Sequence, residues 1–195
     1  MIKMHVKEAI EKRRSIRKFE EKQVSDEIIR EIIDSARRAP SGCNVQPTRY
    51  IIIKDKKTKE KLKKKGVFRQ DFVYESPIIV VLCGNPKEYE NFKEVKYQQE
   101  EGTLPKDLTE VKKVLRGIEE ERANRDISIA SSFFVLRATE LGLGTCYIGL
   151  INRDVLKEEL NIPKDWFVPF VIIMGYPSEN PQQRPRKDLN ELILK

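Results

Sequence analysis

The sequence DISIASSFFVLRATEL, at residues 126–141, decides the fold class of this chain. Its apolar residues recur at the spacing of an α-helix, for example Ile127, Ala130 and Phe134. The other faces carry small residues such as Ser128, so the predicted helix is apolar nearly all round. A helix of this kind is buried at the centre of a protein or at an interface between subunits. We therefore expect a central helix here, in a chain that forms a homodimer.

Three runs of aliphatic residues predict buried β-strands, and helices are predicted between them. The predicted strands are residues 50–53, 77–83 and 166–174. The predicted helices include residues 6–12, 26–38 and 153–160, and a lysine-rich helix after the first strand. Ser25 is expected to cap the helix at residues 26–38. The elements alternate too irregularly for a Rossmann sheet, so we predict one α+β domain over residues 1–195, with a sheet between helices.

The formal net charge of +7 raises the question of a nucleic-acid partner. Residues 54–65 contain eight lysines, but they also contain Asp55 and Glu60 and no aromatic residue. Proteins that bind single strands place aromatic side chains among the basic ones. This stretch is therefore more typical of a solvated helix face, and we expect no nucleic-acid partner. A basic protein that binds nucleic acid or another anion is the alternative from a different functional class.

The sequence lacks the usual features of secreted, membrane and zinc proteins. Its first residues contain no apolar core of a signal peptide, and the longest apolar runs are about seven residues. We therefore expect a soluble, cytoplasmic protein without a membrane partner. Cys43, Cys83 and Cys146 form no CxxC pair, so we expect small buried residues and neither disulfides nor a metal site.

His5 is the single histidine, and it lies near the start of the sequence. Histidine-rich metal sites are thereby excluded, and a catalytic triad would have to use this one residue. We expect His5 to be an exposed helix residue rather than a catalyst. An enzyme of this composition would leave its hard chemistry to a bound cofactor.

The arginine segment, RRSIR at residues 13–17, is the first of three candidate functional features. If the segment is helical, Arg13 and Arg17 lie one turn apart and point the same way. Guanidinium groups and a serine hydroxyl suit a phosphate, because planar donors match its oxygens in pairs. The same cluster is also typical of a solvated charged surface, so the segment alone leaves both interpretations open.

The polar loop, PSGCNVQP at residues 40–47, is framed by two prolines. If its backbone is extended, Ser41, Asn44 and Gln46 present polar groups along one edge. Amide side chains both donate and accept hydrogen bonds, which suits the edge of a planar heterocycle such as an isoalloxazine. A turn-rich connector has the same composition, and the two interpretations stay open.

The glycine-rich segment, GLGTCYIG at residues 142–149, follows the predicted central helix. Gly142 suits the left-handed position that ends a helix. The other glycines would let the backbone amides of a loop approach a flat ring closely. The pattern is not the GxGxxG of dinucleotide-binding proteins, so no dinucleotide site is predicted.

The order of these features resembles the nitroreductase family. The pieces that carry the resemblance are RRSIRKF (13–19), APSGCNVQP (39–47), LGLGTCYIG (141–149), MGYP (174–177) and RPRK (184–187). The resemblance covers nearly the whole chain. It is dense over residues 8–53 and 126–190 and thin over residues 54–125.

The resemblance implies an intertwined α+β homodimer with a central, mostly antiparallel sheet flanked by helices and two FMN molecules at the subunit interface. It implies that the FMN phosphate and ribityl chain are contacted by Arg13, Arg14, Ser15 and Arg17, and that the C-terminal tail closes the phosphate site with Arg184 and Arg186. The residues that approach the cofactor, some of them from the partner subunit, are Ser41, Asn44 and Gln46. The backbone groups beside the flavin ring are those of Cys146, Tyr147, Ile148 and Gly149.

A few positions depart from the family pattern. Ile148 stands where some members carry an acidic residue, which matters little where only the backbone amide is used. Tyr147 stands where tryptophan is common. A further contact expected near Arg69 or Gln70 is too diverged to assign to one residue.

The implied activity is oxidoreduction on the flavin, without a catalytic side chain. NADH or NADPH donates hydride, and an electron-poor acceptor such as a nitroaromatic, a quinone or a flavin is reduced in a ping-pong cycle. Alternatives within the fold are reductive dehalogenation of an iodotyrosine-like substrate, oxygen-dependent flavin fragmentation, and flavin sequestration without turnover. The polar residues 87–121 are expected to form a lid or an excursion at the interface.

Overall fold

The computed structural model describes residues 4–89, 99–102, 107, 109, 113 and 117–193. Its helices are α1 (Val6–Lys12), α2 (Asp26–Ala36), α3 (Lys56–Lys64), α4 (Phe72–Glu75), α5 (Glu119–Glu140), α6 (Arg153–Glu159) and α7 (Leu189–Leu192). Its strands are β1 (Thr48–Ile53), β2 (Ile78–Gly84), β3 (Gly144–Ile148) and β4 (Val171–Gly175), and 3-10 turns occur at Gly42–Asn44 and Pro86–Tyr89. Most of the predicted lid, residues 87–121, lies outside the described residues.

The four strands form one antiparallel sheet in the order β1-β2-β4-β3. One row of paired residues crosses it from Ile51 through Val81 and Val171 to Ile148. The two inner strands, β2 and β4, are buried along their whole length. The predicted α+β class and the antiparallel sheet are therefore confirmed, and β1 and β3 are its two edges.

Side chains of β2 alternate between two hydrophobic layers, one on each face of the sheet. Val80 and Leu82 pack in the layer that contains Phe134 of α5, together with the buried face of α2. Val81 packs on the opposite face in the layer that contains Leu62 of α3, together with α6. The sheet thus lies between helices, and the predicted central helix α5 covers one face of it.

Most helix ends follow the predicted signals with small shifts, but α5 begins at Glu119, seven residues before the predicted start at residue 126. Ser25 Oγ accepts a hydrogen bond from Ile28 N at 3.4 Å and caps α2. This helix ends at Ala36 rather than residue 38, because Ala39 N already bonds the oxygen three residues back, at Ala36 O. At the end of α5, Gly142 adopts φ 78°, as predicted for its C-terminal cap.

Other predictions need correction. Of the strand predicted at residues 166–174, only Val171 onward forms a continuous ladder. Phe167 makes an isolated antiparallel bridge to Gly84, and Pro169, which has no N–H, interrupts the pairing between them. The segment predicted as a glycine-rich loop forms the edge strand β3. Cys83 and Cys146 are buried as predicted, whereas Cys43 is only partly buried.

No helix in the described part of the chain is long and apolar enough to cross a membrane. His5 is exposed, as expected, but it precedes α1 rather than belonging to a helix.

Candidate functional site

The arginine segment is extended, so the premise that it is helical is wrong. Helix α1 ends at Lys12, and Arg13 has φ −55° and ψ 129°. Ser15 then pairs in parallel with Thr145 of β3, and Ile16 N donates to Thr145 O at 2.9 Å. Because successive side chains of an extended chain alternate in direction, Arg13, Ser15 and Arg17 share one side while Ile16 turns inward and is buried.

Gly144 allows this close approach of the arginine segment to β3. A Cβ atom at Gly144 would lie 2.7 Å from Ile16 Cβ, which is closer than real side chains come. Gly144 therefore lets the backbone of the arginine segment pack directly against that of β3. Gly149, by contrast, faces open space, since a Cβ added there would meet no atom within 4 Å.

Cys146 lies beside the polar face of the arginine segment. Burial raises the pKa of its thiol, and the charge of Arg17, a hydrogen bond with Ser15 and the charge of Arg13 oppose that shift. The structure therefore brings these three residues of the segment together next to β3. A pair of guanidinium groups and a hydroxyl are thus available to an anion at this edge of the sheet.

Tyr147 extends from β3 across the central helix. Its hydroxyl donates to Ser131 Oγ of α5 at 2.9 Å, and its ring meets Phe170 edge-on at a centroid distance of 5.0 Å. Burial raises the pKa of the Tyr147 phenol, so the hydroxyl stays protonated. The residue is still 40% exposed.

The chain after β4 runs along the other side of the arginine segment. Ser178 N donates to Lys18 O at 3.1 Å, and Glu179 Oε1 accepts from Arg17 N at 2.6 Å. Arg14 points toward this tail, where its Nη2 lies 3.4 Å from Gln183 Oε1. Sequence reasoning missed Glu179, whose distance of 162 positions from Arg17 leaves no local signal.

The two tail arginines predicted to close the phosphate site lie just beyond Gln183. Both Arg184 and Arg186 are exposed. Arg186 Nη1 donates to Arg184 O at 3.0 Å, so its guanidinium is turned back onto its own backbone. The structure places the tail near Arg14, with the Arg186 side chain turned away from the arginine segment.

The polar loop is a tight turn, the second of the two interpretations that its composition allowed, and not an extended edge. Gly42–Asn44 is a 3-10 turn, and Cys43, Asn44 and Gln46 each adopt φ 52° in the left-handed region. Ser41 Oγ is turned inward and accepts from Gln46 N at 2.9 Å. Asn and Gly adopt such turns readily, in line with the turn-rich composition of this loop. Asn44 and Gln46 are left exposed.

The polar loop and the arginine segment lie at opposite edges of the sheet. The loop leads directly into β1, and the segment lies against β3, which is three strand spacings away. At about 4.8 Å for each spacing, this is roughly 14 Å. Within one chain, Ser41, Asn44 and Gln46 are therefore not brought to Arg13, Ser15 and Arg17.

A small cavity lies behind the polar loop, between α2, β1 and α5. It has a volume of about 190 Å³ and is lined by Ala36, Pro40, Ser41, Gln46, Tyr50 and Asp126 among others. Pockets that hold drug-sized ligands usually exceed about 300 Å³. This cavity alone is thus too small for a flavin.

Residues 68–72, which the sequence left unassigned, lie beside the glycine-rich segment. Arg69 N donates to Leu150 O at 3.3 Å. The Arg17 guanidinium lies 6.0 Å from the centre of the Phe72 ring. Neither contact follows from a local sequence pattern. The family resemblance did not indicate them either, because it is thin in this part of the sequence.

Comparison with known proteins finds a matching family model and several relatives. The model of the nitroreductase family matches residues 10–66 and 65–176. An NADH dehydrogenase of Thermus thermophilus is 28% identical over 98% of this chain and 96% of its own length. An FMN reductase [NAD(P)H] of Bacillus subtilis is 29% identical over 89% of this chain and 66% of its own length.

A solved structure of a protein from Exiguobacterium sibiricum, determined in complex with FMN, has the same fold. It superimposes with a TM-score of 0.82 at 20% identity, covering 98% of this chain and 97% of the other.

Proposed function

Because this chain belongs to the nitroreductase family, we propose that it is an FMN-dependent oxidoreductase that uses NADH or NADPH to reduce electron-poor acceptors. Nitroaromatics, quinones and flavins are the acceptor classes proposed. The names of its relatives, an NADH dehydrogenase and an FMN reductase [NAD(P)H], support this activity. The observation that carries the proposal is the set of Arg13, Ser15 and Arg17 on one side of an extended segment beside Cys146.

The residues at this edge fit the phosphate end of FMN. Guanidinium groups flank a hydroxyl, and each charge-assisted hydrogen bond to a phosphate contributes about 1.5–3 kcal/mol. Arg13 and Ser15 are partly buried, which limits competition from water. Gly149 follows the end of β3, and no atom lies within 4 Å of where its Cβ would be. The planar flavin ring could therefore approach the backbone there.

A complete site requires a second copy of the chain in this proposal. Ser41, Asn44 and Gln46 lie at the other edge of the sheet, more than the roughly 14 Å between β1 and β3 away from the arginine segment. Apolar side chains are also exposed on α1 and α5, with Val6 72%, Ile10 56% and Phe133 42% accessible. Apolar patches of this kind are typical of subunit interfaces. We therefore propose a homodimer in which the polar loop of one protomer meets the arginine segment of its partner.

FMN, when bound, supplies the chemistry by taking hydride from NADH or NADPH and passing electrons to the acceptor in a ping-pong cycle. The chain supplies binding, orientation and exclusion of water. No side chain is assigned a catalytic role, in agreement with the exposed position of His5. Reductive dehalogenation and flavin fragmentation are the alternative activities within this fold. Which of them a member performs depends on the residues that cover the substrate. The predicted lid would supply those residues, and it lies largely outside the described residues.

The experiment that tests the proposal is spectroscopic. We expect purified protein to retain FMN with its visible flavin absorbance, and NADH or NADPH to bleach that absorbance without oxygen. Adding a nitroaromatic or a quinone should then restore the absorbance. Steady-state rates at several acceptor concentrations should give the parallel double-reciprocal lines of a ping-pong cycle. A colourless protein that does not bind added FMN would contradict the proposal.

A further inference from the structure

The polar loop has a backbone that needs support from outside itself. Cys43, Asn44 and Gln46 all adopt φ 52°, a region that residues with side chains rarely occupy. Such conformations persist where the surrounding structure fixes them. Bonds within the loop, such as Asn44 N to Ser41 O at 3.0 Å, close the turn without attaching it to the core.

Asp126 of the central helix provides an attachment. Its Oδ2 accepts a hydrogen bond from Gly42 N at 2.7 Å, at the first residue of the 3-10 turn. Asp126 is only 2% exposed, so this bond is made in the protein interior. The downstream end of the loop is held separately, by Arg49 Nη1 donating to Gln46 O at 2.9 Å. Asp126 therefore acts on the turn itself.

Asp126 is in turn held by two further donors. Tyr89 donates its hydroxyl to the same Oδ2 at 2.6 Å, and Arg125 Nε donates to Oδ1 at 2.9 Å. A buried carboxylate requires such partners, because an unpaired buried charge is very costly. Burial and the hydrogen bond to Asp126 raise the pKa of Tyr89, so its hydroxyl stays a donor.

We propose that Asp126 is a positioning residue that sets the polar loop for cofactor binding through Gly42 N. The inference rests on the proposed function, because the cofactor that the loop meets is the proposed FMN. The same helix also holds the other half of the site, since Ser131 accepts the hydrogen bond from Tyr147. Helix α5 thus fixes the polar loop and the glycine-rich segment of each protomer to one rigid element.

Two pairs of variants separate this bond from other effects. Gly42→Pro removes the N–H and places the proline Cδ against Asp126 Oδ2, a contact that the double variant with D126A relieves. The extended backbone of Ser41, with φ −139° and ψ 154°, accepts a following proline. Gly42→Ala keeps the N–H and, like proline, adds a Cβ, which would lie 2.8 Å from the flexible end of the Arg125 side chain. Asp126→Ala removes the acceptor. Asp126→Asn keeps one oxygen that can accept from Gly42 N and Tyr89. Its NH2 group then faces the Arg125 side chain, which is partly exposed and can turn toward solvent.

The measurements are the FMN dissociation constant of the apoprotein, from quenching of FMN fluorescence, and amide hydrogen exchange at residues 43–46. We expect G42P and D126A each to weaken FMN binding about tenfold and to speed exchange in the loop. G42A and D126N should stay within about threefold of wild type. The double variant G42P/D126A should bind FMN no more weakly than either single variant, because both remove one bond.

A variant that only lowers stability serves as the control for these measurements. Ser76→Ala removes a buried hydroxyl away from the loop and should lower the melting temperature without changing FMN affinity. If G42P and G42A bind FMN equally and exchange equally in the loop, the inference about Asp126 is overturned. In that case FMN binding by the wild type still supports the proposed function. If D126A does not fold, the Gly42 pair still decides. Failure of the wild type to bind FMN would instead overturn the proposed function, and this inference with it.

Discussion

Ile16 covers Gly144 so closely that a methyl group added at Gly144 would fall 2.7 Å from the Ile16 side chain. The backbone hydrogen bond from Ile16 N to Thr145 O, at 2.9 Å, keeps the two chains at this separation. The arginine segment therefore owes its position to the absence of a side chain on β3.

Gly144→Ala should displace the arginine segment. We expect a loss of about 1–3 kcal/mol in the free energy of unfolding, as for other overpacked sites. FMN affinity should also fall, because Arg13 and Arg17 move with the backbone. Urea unfolding checks the stability, and Gly149→Ala is the matched control, since nothing lies within 4 Å of a Cβ there. Equal stability of the two variants would contradict this account of Gly144.

Arg13→Ala and Arg17→Ala should each weaken FMN binding by tenfold or more, since a hydrogen bond to a charged group contributes about 1.5–3 kcal/mol. Arg14→Ala should have a smaller effect, because Arg14 points toward Gln183 and bonds Glu11 O at 2.5 Å. Fluorescence titration at low and high salt measures all three, and the differences should shrink at high salt. Unchanged flavin occupancy in both R13A and R17A would count against the proposed phosphate site.

Phe133→Glu should dissociate the proposed dimer. Phe133 is a large apolar residue that is 42% exposed on α5, so a charge there disfavours burial against a partner. Sedimentation should give a dimer for the wild type and a monomer that no longer retains FMN for the variant. Lys57→Glu, an exposed change on α3 across the sheet, is the control. A wild type that sediments as a monomer at micromolar concentration would refute the dimer.

Cysteine labelling should distinguish Cys43 from the other two thiols in the apoprotein. Burial raises the pKa of Cys83 to about 11 and also raises that of Cys146. The thiolate is the reactive form, so a raised pKa leaves little of it at pH 8. We expect iodoacetamide at pH 8 to modify Cys43 first, and Cys83 only as the pH approaches 11 or the protein unfolds. Mass spectrometry after digestion identifies the modified residue; early labelling of Cys83 would contradict its burial.

The sequence allowed the helices and inner strands to be predicted because their signals are local. The helical spacing that leads to Phe134 and the aliphatic run that contains Leu82 each indicate their element, and the two side chains do pack in one layer. The edge strand β3 was missed because glycines weaken the strand pattern. Its pairing with Ser15 depends on a residue some 130 positions earlier, which no local pattern reveals.

The sequence supplied a set of candidate residues, but not the arrangement in which the structure places them. The cluster Arg13 to Arg17 could be identified, yet its extended conformation is imposed by Ile16 packing against Gly144. The separation of Ser41 from Arg17 follows from the strand order, which is a property of the whole sheet. Asp126 could be identified only as the start of a helical pattern, because its partners Gly42 and Tyr89 are 84 and 37 positions away.

The placement of the polar loop and the arginine segment at opposite edges of the sheet has a genetic consequence. In the proposed dimer, a twofold axis makes each site from the loop of one protomer and the segment of the other. A chain with Asn44→Ala and a chain with Arg17→Ala would each form homodimers with two damaged sites. Their heterodimer would carry both lesions in one site and neither in the other. Two inactive alleles expressed together would therefore complement each other and restore up to half of a dimer's capacity.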